Sequence, residues 1–229
     1  MSKKFWLIIA VIAVAFVGLL IYNNKASNKG SGSSSSGQPS NHLEGNLSSK
    51  VKLVEYGDYQ CPICGEYFST VQQIAAKYNT QITFQFRNLP LTSIHQFAFV
   101  AARAAEAASL QGKFWQMHDT LYENQNTWSQ STNPQAYFDQ YAQQLGLNVS
   151  KFDTDFASAQ VNNTINADLA AFQKTGNEMA TPTFFLNGKK LNLADLVDSN
   201  GPSVAKFSTV IDNALKAAGS STTSSTSKS

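Results

Sequence analysis

The chain has 229 residues, 42% hydrophobic and 11% aromatic, enough for one good-sized domain with a packed core plus tails. The formal charge is +2, but Lys3, Lys4, Lys25 and Lys29 all precede the first acid, Glu44, and the rest carries 13 Lys/Arg against 15 Asp/Glu. No basic cluster is dense enough to track phosphates, so the composition argues against nucleic-acid binding.

Phe5 to Tyr22 is an unbroken run of 18 uncharged, mostly apolar residues. As a helix it would span about 27 Å, close to the hydrocarbon thickness of a bilayer. Trp6 and Tyr22 lie near its ends, where amphipathic rings favour the interface. The rival reading is a cleaved signal peptide, whose apolar region is usually about 7–15 residues and is followed by a small-x-small site. The flank Asn23-Asn24-Lys25-Ala26 lacks that pattern, so residues 1–22 are expected as an uncleaved single-pass transmembrane anchor. Lys3 and Lys4 favour a cytoplasmic N-terminus, while Lys25 and Lys29 weaken that bias. A short tail before a large domain fits a domain held outside the cytoplasm, at the membrane of a bacterial cell.

Residues 23–41, rich in Ser, Gly and Asn, cannot bury enough apolar surface to fold. They are expected as a flexible linker with a reach of about 20–25 Å. Val51–Tyr56 alternates and predicts a strand, Cys61–Tyr78 a helix and Ile82–Arg87 a second strand. A long helical region follows, from about Ile94 to Lys174. Its apolar stripes are Phe114, Met117, His118 and Leu121, then Phe138, Tyr141, Ala142 and Leu145, then Ile165, Leu169 and Phe172. Gly176 closes the last of these helices. Thr183–Leu186, the turn Asn187-Gly188, and Lys189–Leu193 predict a β-hairpin. Ser203–Ala218 predicts a closing helix with Val204, Phe207, Val210 and Ile211 inward, and residues 219–229 a disordered Ser/Thr-rich tail.

The two cysteines form a single C-x-x-C, Cys61-Pro62-Ile63-Cys64, between a predicted strand and a predicted helix. A structural framework would use more cysteines over longer loops. Structural zinc needs four ligands, and His42, His95 and His118 are scattered without ligand spacing, so no metal is expected. At a helix N-terminus the unpaired N–H groups and the macrodipole stabilise a thiolate, which lowers the pKa of the first cysteine. The second, one turn later, can then resolve a mixed disulfide formed on the first. Pro62 suits the first turn, where its missing N–H costs nothing. Glu55 lies on the preceding strand, six residues before Cys61; periodicity alone does not say whether it points inward, where it could take a proton from Cys64, or to solvent. Thr181-Pro182 stands at the start of an apolar strand, where proline is ordinary.

Three motifs occur in order: Tyr56-Gly-Asp-Tyr-Gln-Cys-Pro-Ile-Cys64, Gln111-Gly-Lys-Phe-Trp-Gln-Met-His118 and Thr181-Pro-Thr-Phe-Phe-Leu-Asn-Gly188. Together they resemble the DsbA-like thioredoxin family, in particular its membrane-anchored, BdbD-like branch, over His42 to Ala218. The resemblance implies an α/β thioredoxin fold over residues 42–218, with a helical insertion at about 92–176 after the second core strand, preceded by the transmembrane helix. It implies Cys61 as nucleophile, Cys64 as resolving thiol, Pro182 as a cis-proline, Thr181 facing the active-site sulfur, and Glu55 as the buried carboxylate. Family members often carry Phe or Tyr with Ser before the motif; Gly57-Asp58 here leaves open how Asp58 acts on the Cys61 pKa.

The function expected is a monomeric thiol–disulfide oxidoreductase needing no cofactor beyond its cysteines. It would donate disulfides to reduced exported proteins and be reoxidised by a DsbB- or VKOR-type membrane partner. Reductase or isomerase action would use the same residues. A non-catalytic peptide-binding or chaperone module on the same fold would leave the C-x-x-C unexplained.

Overall fold

The structure, a computed structural model, describes residues 37–223. The expected anchor, most of the expected linker and residues 224–229 lie outside the described residues. No helix among the described residues is long and apolar enough to cross a membrane.

The strands are β1 (His42–Gly45), β2 (Lys52–Gly57), β3 (Thr83–Asn88), β4 (Thr183–Leu186) and β5 (Lys189–Lys190), in the sheet order β1-β3-β2-β4-β5. Only β2 and β3 run parallel. A parallel pair needs a long crossover, and helix α1 (Pro62–Lys77) supplies it. Leu53, Phe84, Phe184 and Leu186 on one sheet face pack with Tyr67, Val71 and Ile74 of α1. Phe207 and Ile211 of the closing helix complete that core.

Between β3 and β4 the chain leaves the sheet for six helices: α2 (Ala98–Ser109), α3 (Phe114–Glu123), α4 (Gln125–Trp128), α5 (Pro134–Gln144), α6 (Val149–Phe156) and α7 (Ala159–Gln173). Seven buried alanines on α2 let neighbouring helices approach its backbone closely. This insertion shares a second core with the sheet, in which Phe86, Tyr59 and both cysteines meet Met117, Leu121 and Tyr122. The three predicted helical stripes do face inward, although Leu145 and Leu169 stay partly open.

The hairpin turn forms as its residues require, with φ of 50° at Asn187 and 81° at Gly188. Its second strand is shorter than expected. Asn192 caps a 3-10 turn at Leu193–Asp195 by accepting from Ala194 N, and this takes the chain out of the sheet after Lys190. Two short strands not expected from the sequence, β6 (Val197–Asp198) and β7 (Gly201–Pro202), then pair with each other. Helix α8 (Val204–Thr223) corrects the expected boundary: it continues past Ala218 into the stretch assigned to the disordered tail. Ser and Thr cost only a few tenths of a kcal/mol per helical residue, so a helix already docked by Phe207 and Ile211 is not stopped by them.

Candidate active site

The end of β2 and the start of α1 build the site. Cys61 is the N-cap of α1, with extended backbone (φ −69°, ψ 120°), and Pro62 is the first helical residue. A tight turn precedes it, closed by Cys61 N donating to Asp58 O at 3.1 Å. The Asp58 carboxylate is wholly buried and accepts from Gln60 N (2.8 Å) and Leu91 N (2.9 Å), with His95 Nδ1 at 2.8 Å. It acts on the turn and on the 89–96 loop.

Both cysteines are free thiols. Cys61 keeps 5% of its surface exposed and Cys64 none. The Cys61 pKa falls from 9.0 to about 6. The largest cause is a hydrogen bond from the Cys64 thiol, helped by the Thr181 hydroxyl and the backbone N–H groups of Cys64 and Ile63, against burial. Cys64 moves the other way, well above 9.0, because it is buried, because it serves Cys61 as a donor, and because Glu55 lies near enough to repel its thiolate.

The Thr181–Pro182 peptide is cis. The Thr181 carbonyl oxygen is 3.5 Å from Cys61 Sγ and accepts from the thiol. The Thr181 hydroxyl is buried without a partner in the reduced pair, so an ionised Cys61 sulfur is the acceptor it otherwise lacks. Glu55 points inward at 4% exposure, which resolves the alternative that strand periodicity left open. Burial alone raises its pKa to about 8. It lines a cleft of about 660 Å³ with Phe68, Trp115, His118, Asp119 and Tyr122, which gives the carboxyl a path to water. Pro62 and Ile63 cover the motif, and Ile63 is 48% exposed.

Gln125 also belongs to this site, and the motifs do not point to it. Its Nε2 donates to Tyr59 O and Cys61 O, both at 2.8 Å. One signal was available: Gly65, directly after the C-x-x-C, is a helical glycine with ordinary φ, and a Cβ there would stand 2.5 Å from Gln125 Oε1. Among the described residues, no cluster of three or more His, Cys, Asp or Glu side chains is placed to hold a metal.

The sequence profile of the thioredoxin family matches residues 38–213, and the chain belongs to that family. Its architecture is that of a thioredoxin-like oxidoreductase. The chain superposes on a thioredoxin-like oxidoreductase from Silicibacter pomeroyi DSS-3 with a TM-score of 0.59 and 25% identity, covering 76% of this chain and 92% of that one. It also superposes on oxidised BdbD from Bacillus subtilis with a TM-score of 0.65 and 24% identity, covering 79% and 97%. A curated relative, the Na(+)/H(+) antiporter NhaA 3 of Salinispora tropica, is 37% identical over 149 residues, 65% of this chain. The match takes in only 22% of that relative, so the chain spans about a fifth of its length.

Proposed function

We propose that the protein is a disulfide-donating oxidase for reduced exported proteins, tethered to the membrane through residues 5–22. The observation that carries the reading is the contrast between the two sulfurs: Cys61 is poised to be a thiolate near neutral pH, and Cys64 is held as a thiol. Groups that stabilise the Cys61 thiolate act only in the reduced enzyme, so they favour reduction of its disulfide. With the Cys61 pKa at about 6, ionisation at pH 7 favours the reduced form by about 1.4 kcal/mol, or about 30 mV for a two-electron couple.

A substrate thiolate attacks Cys61 Sγ in the Cys61–Cys64 disulfide. The S–S bond breaks, a mixed disulfide forms on Cys61, and Cys64 leaves with the electron pair. Because Cys64 binds its proton tightly, that thiolate must be protonated, and Glu55, protonated at neutral pH and lining a cleft open to water, supplies the proton. In the reverse direction the same carboxylate accepts the proton. A second substrate thiolate then attacks the substrate sulfur of the mixed disulfide and releases the Cys61 thiolate. Substrate is oxidised by two electrons and the enzyme reduced by two, so a membrane reoxidant of the DsbB or VKOR type closes the cycle without another cofactor.

Thr181 and Pro182 line a second hollow of about 460 Å³ with Lys190–Leu193. Exposed Ile63, Ile94 and Met179, at 48%, 71% and 39%, come from the motif, from the loop bonded to Asp58 and from the segment before Thr181. Those features suit unfolded polypeptide as the substrate class.

Equilibration with glutathione tests the direction. The expected potential lies above the about −270 mV of thioredoxin, towards the about −120 mV of DsbA, with stoichiometric oxidation of reduced ribonuclease. A value at or below that of thioredoxin would leave a tethered reductase as the better account. The tether is tested separately. Protease added to intact spheroplasts should cut within residues 25–41 and release an active domain; protection of that segment would place the domain in the cytoplasm.

A further inference from the structure

We propose that Gln125 is a positioning residue for Cys61: the helical insertion sends its amide into the active-site turn to hold the backbone of the nucleophile, and Gly65 is the space it needs. The inference rests on the redox reading of the cysteine pair and adds a part that the C-x-x-C motif does not contain.

Gln125 opens α4 and is 8% exposed. The two N–H groups of its amide bond to Tyr59 O and Cys61 O, the carbonyls on either side of the last residue before the nucleophile. Those carbonyls sit where strand gives way to helix and where regular backbone pairing runs out. Among the described residues, the other donor to Cys61 O is Gly65 N, at a longer 3.2 Å. The Cys61 ψ decides where its sulfur points. A modest rotation would carry Sγ off Thr181 O and away from the donors that stabilise its thiolate. The clamp has a rigid base. Trp128, at the other end of α4, is wholly buried, and its Nε1 donates to Leu121 O at 2.7 Å. Gln60 Oε1, accepting from Phe97 N at 2.6 Å, ties the same turn to the start of α2.

Gly65 shows that the fit is specific. A glycine inside a helix is less favourable than alanine. This one takes no positive φ that would require it. Its use is room: an added Cβ would lie 2.5 Å from Oε1, 3.2 Å from Cδ and 3.3 Å from Nε2 of Gln125. Alanine at 65 therefore requires the Gln125 amide to shift from the position in which it bonds the two carbonyls.

The test is a double-mutant cycle on the full protein, read by thiolate absorbance against pH, by the glutathione equilibrium constant and by thermal unfolding. Gln125→Met keeps most of the volume and removes both donors. It should raise the Cys61 titration midpoint by about one unit, a tenfold higher proton affinity, and lower the oxidising equilibrium constant in step. Gly65→Ala alone should shift the midpoint in the same direction with Gln125 still present. In a Gln125→Ala background, Gly65→Ala should leave the midpoint where Gln125→Ala put it, because the obstruction has gone. A Gln125→Met protein with wild-type titration and equilibrium constant overturns the inference, as does a Gly65→Ala shift that persists unchanged in Gln125→Ala. Failure of the redox reading looks different: the wild-type pair itself would then show no exchange with glutathione.

Discussion

Iodoacetamide added to the reduced protein at pH 7 should label Cys61 at least about tenfold faster than Cys64, from ionisation and access together. With a pKa of about 6, Cys61 is about nine-tenths thiolate at that pH. Cys64, held well above 9.0, is under about one hundredth thiolate. The lower pKa also makes Cys61 intrinsically less nucleophilic, which offsets part of that advantage but not all of it, because nucleophilicity falls by less than about half a decade per pKa unit. Access then widens the ratio again, since Cys64 has no exposed surface. The same asymmetry predicts two variants. Cys61→Ser should lose exchange activity outright, whereas Cys64→Ser should accumulate substrate disulfide-bonded to Cys61, seen as a reducible adduct by mass. Preferential labelling of Cys64 would reverse the roles assigned to the two sulfurs.

Glu55→Gln should stabilise the protein strongly at alkaline pH and far less in acid. The native carboxyl binds its proton up to about pH 8, whereas in the unfolded chain it releases it near 4.5. Between those values the native state holds more protons than the unfolded one, so stability falls as pH rises through that window. Above pH 8 the buried charge costs about 4–5 kcal/mol, from a shift of about three and a half pKa units at about 1.4 kcal/mol each. Glutamine keeps the shape and cannot ionise, so the variant escapes that cost. Urea unfolding at pH 5 and pH 9 measures the difference. An advantage of the same size at both pH values would mean that Glu55 is not the titrating group. The variant should also turn over more slowly, because the carboxyl proposed to exchange a proton with Cys64 is gone.

Local pattern made most elements of this fold legible. Alternation in Val51–Tyr56 and the 3.6-residue stripes around Phe114 and Phe138 report which side chains need burial, and that need does not depend on the partner. Asn187-Gly188 is equally local, since only such residues accept positive φ at both turn positions. The strand at His42–Gly45 was missed because four half-exposed residues carry too little pattern. The end of α8 was misplaced because Ser and Thr lower helix propensity without stopping a helix that tertiary packing holds.

By itself, the sequence determined the C-x-x-C pair, its place at a helix start and the run of elements around it, because all of these follow from residues within a few positions of one another. Only the tertiary structure decided how the pair is tuned. Alternation put Glu55 on the same side as Leu53 but could not say which side was inside; that depended on α1 and the helical insertion closing over it. Asp58 was an open question until His95 and the Leu91 amide, 37 and 33 positions away, came to its carboxylate. The Thr181 carbonyl reaches Cys61 across 120 residues, and the Gln125 amide across 64. Hydrogen bonds that fix a sulfur's pKa depend on tenths of an ångström, and chain separation of that kind leaves no periodicity to read.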